Sequence, residues 1–173
     1  RLVQARSCRL KRTTEHVHTC RRVVLHDAQH TWVHAWSSRG RAKLWRGRAK
    51  EWRVKMVDMD YDAEKWCKAI SGHENDLEGG ERCGLCFKFR LAKAAEYAKN
   101  NGFHYFGTSL TMGRNKSAEI INPIGQAFAK AHKIKFYSVD WKKDGRIEKA
   151  NQLVKEKGIY RQNYCGCVYS VKG

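Results

Sequence analysis

Four cysteines in two short motifs are the residues of this chain best equipped for chemistry. "ERCGLCFKFR" sets Cys83 and Cys86 three residues apart, and "YRQNYCGCVYS" sets Cys165 and Cys167 on either side of one glycine. Cysteines three apart reach a single metal ion or cluster, and C-x-x-C is half of a four-ligand site. A thioredoxin-like use is less well supported, because a polar loop rather than a strand leads into the motif. A disulfide across one residue closes a small, strained ring that is easily reduced, which suits an electron relay better than a staple. The same pair also fits as the second half of a four-cysteine tetrad with Cys83 and Cys86, including a structural zinc site. Spacing alone leaves these two uses nearly even.

Other residues offer recognition rather than bond-making. Tyr160, Arg161, Gln162, Asn163 and Tyr164 supply two rings, a guanidinium and two amides, the parts that stack on a base and bond its edges in an exposed RNA loop. "TSLTMGRNK" follows a predicted strand end and offers Thr108, Ser109, Thr111, Arg114 and Lys116 as a phosphate-binding loop. Asp140 and Tyr164 are the candidate proton donors, since both can relay protons near the presumed ligand edge. Cys67, between Trp66 and Ile70 in "EKWCKAI", is expected to be a buried, inert thiol.

These side chains need elements to hold them. Cys83 and Cys86 open a helix predicted from about Arg82 to Asn100, with Leu85, Phe89 and Ala92 on one face and Gly102 as its stop. Free N–H groups at a helix start favour the thiolate that metals require. "VKMVDMDY" (54–61), "GFHYFGTSL" (102–110) and "KIKFYSVD" (133–140) read as strands. Helices are predicted over about 62–70, 116–132 with a break near Pro123, and 145–157. Strands alternating with helices predict an α/β fold with a parallel sheet. In such sheets ligands bind beyond the carboxyl ends of the strands, here Asp58–Tyr61, Thr108–Arg114 and Asp140–Lys143.

The 173 residues are the size of one ordinary domain, and 42% hydrophobic content with one proline describes a globular chain rather than a low-complexity tail. No apolar run is long enough to span a membrane and no apolar leader follows the first residues, so a cytoplasmic protein without membrane partners is expected. Seven cysteines without an export signal favour metal or redox work over a disulfide scaffold. A formal net charge of +18 points to a polyanionic partner, most simply nucleic acid.

That charge has a seam. Residues 1–53 carry fourteen Lys and Arg against three Asp and Glu, five of the eight His and four of the six Trp, yet no Tyr, Phe or Met. Within it only "RRVVLH" has a strand-like core. The chain therefore divides into a basic segment, 1–53, and an α/β catalytic domain, 54–173.

"ERCGLCFKFRLAKAAEYAKNNGFHYFGTSL", "INPIGQAFA", "VDWKK" and "YRQNYCGCVYS", taken in order, resemble the cobalamin-independent epoxyqueuosine reductases from about residue 54 to the end. The resemblance implies a Rossmann-like sheet akin to the adenine nucleotide α-hydrolases. It implies two-electron reduction of epoxyqueuosine to queuosine at the wobble position of tRNA, with an unidentified electron donor. It also implies a [4Fe–4S] cluster with Cys83 and Cys86 among its ligands, and a redox-active disulfide between Cys165 and Cys167. The chain departs from the family in having no adjacent cysteines, whereas the family pairs its C-x-x-C with an N-terminal Cys-Cys. Codons for Ala28-Gln29-His30-Thr31-Trp32, read one base later, permit Pro-Asn-Ile-His, which the family carries after an early strand. Residues 1 to about 50 are accordingly read as frameshifted or misassembled, so that the first strand and helix are expected to be missing. The other reading of the whole is a basic RNA-binding domain stabilised by a four-cysteine zinc site, without catalysis.

Overall fold

The computed structural model describes residues 2–7, 21–27, 46–47, 49–59, 63–158, 165, 167 and 169. Its elements in chain order are β1 (Leu2–Ser7), β2 (Arg21–Asp27), β3 (Lys55–Met59), α1 (Ala63–Ala69), α2 (Glu81–Asn100), β4 (Tyr105–Thr108), α3 (Ala118–Ala131), β5 (Lys135–Tyr137) and α4 (Arg146–Glu156). A short 3-10 turn, Leu110–Met112, follows β4. The three strands and four helices expected after residue 54 are all present.

The strands form one sheet in the order β3-β2-β1-β4-β5. β2 pairs parallel with β3, and β4 parallel with β5. β1 lies between the two pairs and runs antiparallel to both β2 and β4. The fold is α/β as expected, but the sheet is mixed rather than wholly parallel, with four strands sharing one direction and the central strand reversed. The difference arises at Leu2–Ser7, which pairs antiparallel with β2 so that Val3 stands opposite Leu25. The start of the sheet, expected to lack its first strand, is filled by β1 and β2, the second of these on "RRVVLH".

α2 starts on a built platform. The Asp76 carboxylate accepts the Arg82 backbone N–H at 2.8 Å and lies 3.1 Å from His73 Nδ1, while the Gly80 carbonyl accepts from Cys83 N–H. These bonds satisfy N–H groups that a helix start leaves unpaired. The helix ends where expected, with Gly102 at φ +69° just past Asn101. Its buried face differs from expectation. Phe87, Leu91, Ala94, Ala95 and Ala98 are buried together with Arg82, Cys83 and Arg90, whereas Leu85, Phe89 and Ala92 are only half-buried. A charged residue reads as solvent-facing in a hydropathy pattern, so Arg82 and Arg90 rotated the apparent core stripe.

Two further expectations are corrected. α3 runs unbroken through Pro123, whose ring sits on the exposed side while Ile121 and Gly125 anchor the buried side. Ser117 caps this helix by accepting the Glu119 N–H at 3.1 Å. Cys67 is exposed, not buried. Trp66 and Ile70, four apart, define the buried face of α1 and its last turn. Cys67, one position on from Trp66, is rotated about 100° away from that face.

The main core lies between α2, the sheet and α3. Phe87, Leu91, Phe103, Phe106, Leu110 and Ile121 are its large members, with Phe136 packed edge-on against Phe106 at 5.0 Å. A second, smaller cluster gathers Trp66, Ile70, Cys165 and Cys167, with Leu85, Cys86, Phe89 and Tyr169 against it.

Candidate functional site

The fold brings both cysteine motifs to one place. Cys83 and Cys86, on the first turns of α2, line the same small cavity as Cys165 and Cys167 from the far end of the chain. Its volume is about 10 Å³, roughly one water-sized sphere. All four are thiols rather than disulfides, and all but Cys86 are buried. Helix geometry explains the first pair, since residues three apart share a face. Only tertiary packing explains the second, which is held against α1 by Tyr169 stacking on Trp66 with ring centroids 6.2 Å apart, and against α2 by the Arg82 guanidinium 5.5 Å from the Tyr169 ring centroid.

Three buried cations surround the thiols. Arg82, Arg90 and Lys116 also line the cavity, each 3% exposed or less. Arg82 Nη1 donates to the carbonyls of Glu74 at 2.7 Å and His73 at 3.3 Å, and its guanidinium lies 5.5 Å from the Tyr169 ring centroid. Lys116 Nζ donates to Cys165 Sγ at 3.5 Å and lies 3.7 Å from Glu78 Oε1 and 5.2 Å from the Phe87 ring centroid. Burying a cation costs several kcal/mol unless something negative or dipolar answers it. A cavity walled by three of them is electrically suited to negative charge on whatever it encloses.

The sulfurs are not equivalent. The Gly79 backbone N–H donates to Cys83 Sγ at 3.2 Å. Burial pushes the Cys167 thiol above its ordinary range. A backbone hydrogen bond with Tyr169 and the Arg82 charge oppose that rise, while Cys165 and Cys86 add to it. Burial likewise raises the Tyr169 phenol. Trp66 lines the cavity too, and its indole N–H is buried without a hydrogen-bond partner among the described residues.

A larger opening adjoins this cavity. A cleft of about 790 Å³ runs along the start of α3, bordered by Arg114, Ser117, Asn122, Asp140, Lys142 and Lys143. It lies beyond the carboxyl ends of β4 and β5, where the strand order predicted a ligand. Lys116 lines both the cavity and the cleft.

The anticipated recognition residues fall in different places. Lys116 belongs to the thiol cavity as well as to its loop. Thr108 is buried, its hydroxyl accepting the Leu110 N–H at 3.1 Å and its carbonyl accepting Trp141 Nε1–H at 2.7 Å, so it builds the turn that precedes the cleft. Ser109 follows it, half-buried. Asp140 borders the cleft, where its carboxylate accepts the Lys142 N–H at 3.0 Å. Tyr160, Arg161, Gln162, Asn163 and Tyr164 lie outside the described residues. Trp66, Arg82, Arg90 and Tyr169 were not anticipated. A signal for two of them existed, because Arg82, Cys86 and Arg90 recur every four residues and so share one helix stripe.

The residues fit an iron–sulfur cluster in part. Cys83 and Cys86 supply two thiolate positions with the right donor chemistry, beside buried positive charge. Among the described residues, no group of three or more His, Cys, Asp or Glu is arranged to hold a metal ion. No helix of the described residues is long and apolar enough to cross a membrane.

An α/β scaffold that converges four thiols and three buried cations on one cavity defines a cysteine-centred class of protein, and comparison with known sequences gives the family. The family model for epoxyqueuosine reductase QueH matches residues 34–173. The chain belongs to this family. It is 37% identical over 119 residues to epoxyqueuosine reductase QueH of Streptococcus pyogenes serotype M1, covering 69% of this chain and 47% of that protein. It is 38% identical over 120 residues to the Acinetobacter baylyi QueH, covering 69% and 55% respectively. The Thermotoga maritima QueH is 36% identical over 110 residues, covering 64% and 57%. The chain spans about half the length of the curated relatives it matches.

Proposed function

We propose that this chain reduces the epoxide of epoxyqueuosine in tRNA to the alkene of queuosine, with Cys165 and Cys167 cycling between dithiol and disulfide. The observation that carries the reading is the convergence of Cys165 and Cys167 with Cys83, Cys86 and three buried cations on a single cavity. Loss of the epoxide oxygen as water takes two electrons and two protons, which is what a dithiol releases on becoming a disulfide. The cavity holds the pair away from bulk water, and its cations favour the negative charge that thiol chemistry develops. Burial of Cys167 favours its protonated form.

On the same reading Cys83 and Cys86 would hold a [4Fe–4S] cluster. When bound, such a cluster supplies electrons singly. The wobble-position nucleotide of tRNA enters through the cleft. Residues 160–164 grip neighbouring bases, and Thr108 and Ser109 shape the loop beneath the substrate. The three strands within residues 54–173, β3, β4 and β5, run in one direction, which supports a Rossmann-like ancestry akin to the adenine nucleotide α-hydrolases for that part of the chain. The start of the chain, upstream of residue 34 where the family match begins, is read as a product of a shifted frame, a point that the coding nucleotides test directly. A cytoplasmic location follows from a tRNA substrate. A four-cysteine zinc module without catalysis is not favoured, given the family.

The test is anaerobic conversion of an epoxyqueuosine-bearing anticodon stem–loop, followed by mass spectrometry. Reduced protein should form queuosine with disulfide accumulating between Cys165 and Cys167, and Cys165→Ser and Cys167→Ser should each lose the activity. Full activity in either serine variant would sink the reading.

A further inference from the structure

We propose that Lys116 is a catalytic residue that binds the epoxide oxygen and gives it a proton as the C–O bond breaks. This assignment rests on the reductase reading above and adds the acid that reading lacks. Three observations support it.

The first is position. Among the described residues, Lys116 is the one that lines both the thiol cavity and the open cleft. Its ammonium stands 3.5 Å from Cys165 Sγ, so a substrate that reaches this sulfur meets it. The second is donor capacity. An ammonium has three N–H groups. Among the described residues, Cys165 Sγ at 3.5 Å and Glu78 Oε1 at 3.7 Å are its acceptors, which leaves one donor for an oxygen beside the reacting sulfur. The third is rigidity. The Lys116 N–H donates to the Gly113 carbonyl at 3.1 Å, and its own carbonyl accepts Lys142 Nζ at 3.1 Å. Lys142 Nζ also donates to the Arg114 carbonyl at 3.0 Å, tying the loop across the cleft. A donor held in place before reaction costs no reorganisation when charge develops.

The chemistry requires such a group. When the Cys165 sulfur attacks an epoxide carbon, a C–S bond forms, one C–O bond breaks and the oxygen becomes a strongly basic alkoxide. Lys116 donates a proton to that oxygen and regains one from the solvent side of the cleft. Attack of the Cys167 sulfur on the Cys165 sulfur then breaks the C–S bond, whose electron pair forms the C=C bond. The protonated oxygen leaves with the second proton as water. The dithiol is oxidised to a disulfide, the epoxide is reduced to an alkene, and the two protons lost by the thiols equal the two carried away by the oxygen. Asp140, the proton donor expected from the sequence that borders the cleft, already accepts the Lys142 N–H.

Two alkylating agents distinguish a role at the oxygen from a role at the sulfur. Glycidol, a small epoxide, needs a proton at its departing oxygen, whereas iodoacetamide expels iodide and needs none. Alkylation of Cys165 is followed by peptide mass spectrometry in the reduced wild-type chain, Lys116→Met and Lys116→Arg. Lys116→Met should slow iodoacetamide only through loss of the cation beside the Cys165 sulfur, and slow glycidol by about 10²-fold or more beyond that, the usual scale of a positioned acid. Lys116→Arg should recover part of the glycidol rate, because it restores a cationic donor. Equal slowing of both reagents, slowing of neither, or a wild-type Cys165 that glycidol does not modify would overturn the assignment. Failure of the wild-type chain to convert the anticodon stem–loop, with selective slowing still present, would instead count against the reductase reading.

Discussion

The two buried clusters on α2 are built from different materials. The larger, from Phe87 through Ala98 against Phe103, Phe106, Leu110 and Ile121, is apolar apart from the Cys83 thiol. The smaller holds two cysteines, an indole N–H without a partner among the described residues and Tyr169, and it borders three buried cations. The first is what apolar transfer from water builds. The second carries desolvated charge and reactive sulfur that a chain folding for stability alone would avoid. One helix serves both, so the rigid cluster sets where the reactive one stands.

If that division holds, damage to the larger cluster should cost stability and leave the thiols alone. Leu91, fully buried there, should on truncation to Ala lose about 2–5 kcal/mol in urea unfolding, with the Cys165 alkylation rate unchanged below the transition. Gly125→Ala should come next. An added Cβ would overlap the Phe136 ring, and such overpacking costs about 1–3 kcal/mol, partly offset by about 1 kcal/mol of helix propensity. A Gly125→Ala protein as stable as wild type would show that the Phe136 side of the core is loose.

The smaller cluster should respond differently. Trp66→Phe deletes the indole N–H that has no partner among the described residues, so the area lost is set against about 1–3 kcal/mol of relieved desolvation. Unfolding should move by less than about 1 kcal/mol in either direction, far less than for Leu91. The raised Cys167 pKa gives a further contrast. An unfolded thiol ionises before the folded one, so the stability it contributes is present at neutral pH. That contribution is lost as pH rises from the ordinary thiol range through the folded value. Cys167→Ala should flatten this alkaline slope, read as Tm against pH, while Leu91→Ala should leave it intact. The smallest effect is expected at Asp76, held below the usual carboxylate range chiefly by the Arg82 backbone N–H, with His73 assisting. Its contribution is present above the ordinary carboxylate pKa and fades as pH falls through the folded value. Asp76→Asn should remove that acid dependence from Tm and weaken protection of the first amides of α2.

Much of this architecture was legible. α2 was bounded to within one residue, because a run rich in Ala, Leu, Lys, Arg and Glu stops just before a glycine that adopts positive φ. The C-x-x-C fell at its start, and strand alternation located the cleft beyond β4 and β5. Cys67 was misplaced because hydrophobic neighbours in sequence, Trp66 and Ile70, said nothing about its own angle around α1. Pro123 suggested a break because the sequence does not reveal which side of a helix faces solvent. β1 carried no strand signal of its own. Its place in the sheet comes from backbone pairing with β2 and β4, which takes no particular side-chain pattern.

The sequence alone determined which atoms could react. Four cysteines in two spacings, a surplus of positive charge and an alternating α/β pattern are properties of residue type and order. The tertiary structure decided which of those atoms meet. Cys83 and Cys165 are far apart along the chain, Lys116 reaches Cys165 from the loop between β4 and α3, and Arg82 and Arg90 are buried where their charge predicted exposure. Contacts of that kind depend on how elements pack in three dimensions, and local propensities, which act over a few residues, carry no record of them.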